Sequence, residues 1–103
     1  MSHPHERHFV LEHGFRDAGG VLHREGTLRP ASAREEMRVL GDFRVHLSPD
    51  AFLPVMLART VVRLGTLPAV DAGTIERLPE ADRSRLERLY RELNGYEQEE
   101  ARR

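Results

Sequence analysis

Residues 48–67 read SPDAFLPVMLARTVVRLGTL, and the fold turns on whether this stretch is one helix and what covers it. Ser48 is a natural cap, and Pro49 occupies the first helical position, where a missing N–H costs nothing. Pro54 would leave the carbonyl of Asp50 without its helical partner, so the first turn should be distorted or the helix should start nearer Ala51. Leu53, Leu57, Val61 and Leu64 mark one apolar face, and Phe52, Val55, Met56 and Val62 widen it. Arg59 and Arg63 leave only a narrow polar edge, and Gly65 closes the segment. The spacing predicts a single long helix, apolar around almost its whole circumference, in a chain of which 32% of residues are charged. Such a helix is either the core of the domain or the seat of a partner.

Outward from that segment the pattern is mixed. Phe9 and Leu11 alternate with Val10 and Glu12, Asp17-Ala18-Gly19-Gly20 supplies turn chemistry, and Val21 to Arg29 alternates again, which predicts a β-hairpin. Gly14 and Gly26 fall inside the strands, where they indicate a bulge or a close backbone approach. Ser32 and Glu35 form a capping box for a short helix that carries Met37 and Leu40 on one face and stops at Gly41. Phe43, Val45 and Leu47 alternate, which predicts an extended connection or edge strand over 42–47. Asp71 caps a short helix through Ile75 and Leu78. The last helix, about Glu80 to Asn94, places Leu86, Leu89, Tyr90 and Leu93 on one face and ends at Asn94-Gly95.

The expected architecture is a single α+β domain over 9–95: an N-terminal β-hairpin or small antiparallel sheet, then three to four helices with the central one buried. Residues 1–8 are expected to be a loose arm and 96–103 a charged tail. A chain of 103 residues supports one core.

Composition narrows the function classes. The formal net charge of −1 provides no basic field for nucleic acid or an anionic membrane. With no cysteine, disulfides, thiolate zinc sites and cysteine nucleophiles are excluded together, and a reducing, cytoplasmic setting fits. MSHPHERHFV lacks the basic and apolar regions of a secretory signal, and the central apolar run falls short of the ~20 residues of a membrane span.

Candidate chemistry is thin. His3, His5 and His8 share a short arm without a rigid frame, so no metal is expected. His13 and His23 are expected to be a cross-strand pair on a solvent face. Ser32, Ser48 and Ser84 sit near helix starts with no His and Asp pattern around them, so neither an enzyme nor a cofactor is expected. Arg83, Arg85, Arg88 and Arg91 make the last helix basic, but Glu80, Asp82, Glu87 and Glu92 interleave with them, which favours a solvated, ion-paired face. A partner surface is expected at Phe52, Val55 and Met56, with Arg59 and Arg63 at its rim, facing a client protein or a second copy of the chain. On that reading Met56→Asp removes partner binding and spares the fold.

Three phrases carry a resemblance: FRDAGGVLHREGTLRPASAREE from Phe15, LARTVVRLGTLPAVDAGTIERL from Leu57, and ADRSRLERLYRELNG ending at Gly95. Together they resemble small tail assembly proteins, the tail assembly chaperones of contractile phages, prophages and bacterial phage-tail-like contractile injection systems. The resemblance implies a cytoplasmic factor that keeps the long, helical, apolar tape measure protein soluble while the tail tube assembles. It brings no catalytic residues. The rival expectations are a small structural subunit retained in the particle and a small nucleic-acid-binding regulator.

Overall fold

The hairpin forms where its alternation and turn residues place it. Strands β1 (Arg7–Arg16) and β2 (Leu22–Leu28) pair antiparallel. Asp17 Oδ1 accepts the backbone N–H groups of Gly19 and Val21, both at 2.9 Å, and Gly20 takes a φ of +85° that favours glycine. The computed structural model describes residues 5–95. Residues 1–4 of the expected arm and the expected tail at 96–103 lie outside that range, and β1 begins inside the arm at Arg7.

Two short helices follow. The Ser32–Glu35 capping box starts α1 (Ala33–Leu40), with Ser32 Oγ accepting the Glu35 N–H and Glu35 Oε1 accepting the Ser32 N–H, each at 3.1 Å. The next segment is a correction: Phe43–Leu47 is helix α2, not an extended connection. Asp42 caps it by accepting the Arg44 N–H at 2.8 Å. Over five residues, alternation fits a helix equally well, since Phe43 and Leu47 then share one face and Val45 takes the opposite one.

The central segment is two elements. A 3-10 turn over Pro49–Ala51 absorbs Pro54, and α3 (Phe52–Thr60) starts after it, in line with the expected distorted first turn. The expected last helical turn is instead β3 (Val61–Leu64). Its first two residues are β-branched valines, stiff at χ1 and suited to a pleated surface. β3 pairs antiparallel with β2, Gly26 opposite Leu64 and Leu28 opposite Val61, giving a three-stranded sheet of order β1-β2-β3. Gly26 is required there: a Cβ would clash with the Arg63 carbonyl oxygen and with the Phe9 ring.

Helix α4 (Ala72–Glu76) is capped by Asp71, and α5 (Glu80–Leu93) ends the described chain with Gly95 at a φ of +78°. The core gathers Phe9, Leu11 and Leu28 from the hairpin, Met56 and Leu57 from α3, and Leu86 and Tyr90 from α5. Each such side chain contributes roughly 1.5–3 kcal/mol by leaving water. Among the described residues no helix is long and apolar enough to cross a membrane.

Candidate functional site

Helix α2 and the 3-10 turn stand opposite α5 across a groove of about 950 Å³. Its floor is the start of α3, with Phe52, Leu53, Pro54 and Val55, and Ala72 of α4 joins them. Leu47 lines the α2 wall, and the α5 wall carries Glu80, Arg83, Glu87 and Arg91. These α5 residues recur at three and four positions along the chain, so they share one helix face. The groove therefore has an apolar floor between walls that carry both signs of charge.

Beyond Leu47, which lines the groove, α1 and α2 carry exposed apolar side chains. Phe43 and Leu47, on one face of α2, are 73% and 72% exposed, and Met37 and Leu40 on α1 are 73% and 55% exposed. Val39 and Val45 are the residues that α1 and α2 turn into the core. Arg44, between Phe43 and Val45, donates to both carboxylate oxygens of Asp42 at 3.1–3.2 Å. That guanidinium, together with the capping N–H of Arg44, holds the Asp42 carboxyl below its ordinary pKa.

The five residues expected to form a partner surface do not make one exposed surface. Phe52 is half-buried and Val55 buried, and both line the groove. Met56 is completely buried in the core, so Met56→Asp should unfold the domain instead of sparing it. Arg59 is exposed, one turn after Val55, and lies 3.8 Å from Glu35 of α1. Arg63 is exposed on β3, because the helix ends before it. Two physical facts separate them: the last turn of the apolar run is a strand, which carries Arg63, and the core takes Met56. Phe43 and Leu47 were missed for a related reason, since reading Asp42 as a helix cap would have put them together on one face.

The buried polar groups are committed to structure. His23, expected on a solvent face opposite His13, is 3% exposed. Its Nδ1 accepts the Thr66 N–H at 3.1 Å, so the ring proton sits on Nε2, 2.8 Å from Asp17 Oδ2. The hydrogen bond from His23 lowers the Asp17 pKa. This is the arrangement closest to a catalytic dyad, yet the nitrogen that would act as base is already occupied by a backbone donor. Asp82 is fully buried and accepts the N–H groups of Glu12, His13 and Gly14 at 2.7–3.2 Å. Those three amides are free to meet it because the β1–β2 register shifts between Val10 and Phe15.

Glu35 joins three elements. Arg29 at the end of β2 makes a paired contact with its two oxygens at 2.9 and 2.7 Å and also donates to the Arg59 carbonyl at 3.0 Å. The Arg29 hydrogen bonds bring the Glu35 pKa down to about 2. Of the N-terminal histidines, His3 lies outside the described residues and His8 sits 3.8 Å from Glu25. Among the described residues no group of His, Asp and Glu could hold a metal ion.

Neither a protein family, nor a curated protein, nor a solved structure is similar to this chain at a significant level.

Proposed function

We propose that this chain is a non-catalytic protein-binding part that takes an apolar helical segment of a partner along the groove between α2 and α5. The observation that carries the proposal is the exposed pair Phe43 and Leu47, one turn apart on α2, of which Leu47 lines a groove floored by Phe52, Leu53 and Pro54. A helix laid there would cover the pair with its apolar face and bring its flanking charges against Glu80, Arg83, Glu87 and Arg91. The commitment of His23 and Asp82 to backbone donors supports binding over catalysis.

The identity of the partner is a further step, supported by the resemblance of the three phrases quoted above. On that reading the chain is a cytoplasmic tail assembly factor, and the client is the tape measure protein of a phage tail or a phage-tail-like contractile particle. Binding is stoichiometric and reversible, without nucleotide, metal or turnover.

Affinity purification of the tagged chain from its native host, with mass spectrometry of the eluate and of purified particles, tests this reading. A long tape-measure-like protein in the eluate, lost with Phe43→Asp/Leu47→Asp and with the chain itself missing from particles, is the expected result. The chain at fixed stoichiometry in particles makes it a structural subunit instead. Recovery of no tail protein in either sample overturns the tail assignment.

A further inference from the structure

A second cleft, of about 550 Å³, lies between β1 and the first half of α5, on the helix face beside the one that walls the groove. Arg24, Arg85 and Arg88 line it, together with Val10 and Ala81. Four guanidiniums elsewhere in the fold are paired, Arg29 and Arg59 with Glu35, Arg44 with Asp42 and Arg7 with Glu92, while others, Arg83 and Arg91 among them, stand singly on the surface or beside carboxylates in the groove wall. Arg24, Arg85 and Arg88 form no ion pair among the described residues.

Arg24 is also held in place. Its Nε donates to the Leu11 carbonyl at 2.9 Å, and its stem lies over Gly14, where a Cβ would come within 2.6 Å of the Arg24 Cγ. Gly14 has a φ of +84°, so the bulge that feeds Asp82 also makes room for Arg24 to cross β1. The terminal nitrogens of a guanidinium fixed this way lose little freedom on binding.

The charge of the cleft selects its ligand. Three guanidiniums stand against two carboxylates, Glu12 and the fully bonded Asp82, leaving one positive charge in excess. That excess matches a carboxylate better than a dianionic phosphate, and it is too small for the run of phosphates along a nucleic acid. Val10, 41% exposed, adds an apolar ledge. We propose that this cleft binds a glutamate or aspartate side chain of an acidic, partly apolar partner peptide, recognised by Arg24, Arg85 and Arg88. The cleft shares only Ser84 with the groove lining and none of its three arginines, so its occupancy does not depend on the groove reading.

The test uses the isotope-labelled full chain and an acetylated, amidated hexapeptide of alternating glutamate and leucine, read at the arginine Nε–H signals. The peptide should shift the signals of Arg24, Arg85 and Arg88 and leave those of Arg83 and Arg91 in place. Arg85→Gln/Arg88→Gln should weaken binding about tenfold or more, the scale of a lost charge-assisted hydrogen bond. Both positions are exposed, so the amide spectrum should be retained; Ala81→Glu, which adds a carboxylate at the cleft, should give the same loss. Phe43→Asp/Leu47→Asp should leave this binding unchanged, which separates a failure here from a failure of the groove. The proposal is overturned if a glutamine–leucine peptide binds equally well, or if binding survives Arg85→Gln/Arg88→Gln. It is overturned as well if inorganic phosphate or single-stranded DNA displaces the peptide at lower concentration than free glutamate does.

Discussion

The seam between the hairpin and α5 and the outer side of α1 and α2 invert the usual distribution of polar and apolar groups. At the seam, a carboxylate sits at zero exposure with three backbone donors around it, and at the turn end of the hairpin a histidine is buried between Asp17 and the Thr66 amide. On α1 and α2, Met37, Phe43 and Leu47 are each more than 70% exposed. A buried charge survives only with a complete set of partners, so the seam specifies one register and one docking angle. An exposed apolar stripe specifies nothing within the domain, and on the proposed reading it serves a partner.

The largest effect expected from breaking this contrast is at the seam. Asp82→Ala removes the acceptor for three amides that have no ladder partners, and by analogy with other broken buried networks it should cost about 3–5 kcal/mol. Urea unfolding measures it directly. A loss below about 1 kcal/mol would mean that water or a relaxed bulge satisfies those amides.

An intermediate effect is expected where α1 joins the sheet. The folded-state pKa of Glu35, about 2, lies below its ordinary value of 4.5. Its stabilising contribution is therefore complete above pH 4.5 and is lost as pH falls toward 2. Glu35→Gln should lower stability at neutral pH and flatten the acid limb of the stability curve. An unchanged acid limb would show that the Arg29 contact has little weight in solution.

The smallest effect, and the one that sharpens the contrast, is on the open side. Phe43→Ser/Leu47→Ser should change unfolding free energy by no more than about 0.5 kcal/mol for each exposed position. A loss of several kcal/mol would mean that the stripe is packed in solution, by a second copy or by a rearranged α2, and dilution would distinguish the two.

Much of the frame was legible in local chemistry. The Asp17 turn, the Ser32–Glu35 box, the Asp71 cap and the Leu86–Tyr90 face depend on residues close in sequence, and each forms as its residues indicate. What escaped depends on partners far away in the chain. Val61–Leu64 continues a helical apolar pattern, and only β2, more than thirty positions earlier, makes it a strand. Asp82 looked like one more charge on a solvated helix face, because the amides it serves lie in β1. The expected exposure of α3 fails for the same reason: apolarity marks α3, while burial in the core takes Met56, and the exposed apolar side chains lie on α1 and α2.

Because Val61 follows Thr60 with no intervening loop, helix α3 cannot roll or slide without pulling β3 out of register with β2. The Thr60 hydroxyl, donating to the Met56 carbonyl at 2.8 Å, and the Arg29 N–H, donating to the Thr60 carbonyl at 3.0 Å, clamp that junction. The floor of the groove is thus an anvil fixed to the sheet. A partner bound as proposed would take its shape from the floor, and any adjustment would fall to the α2 wall.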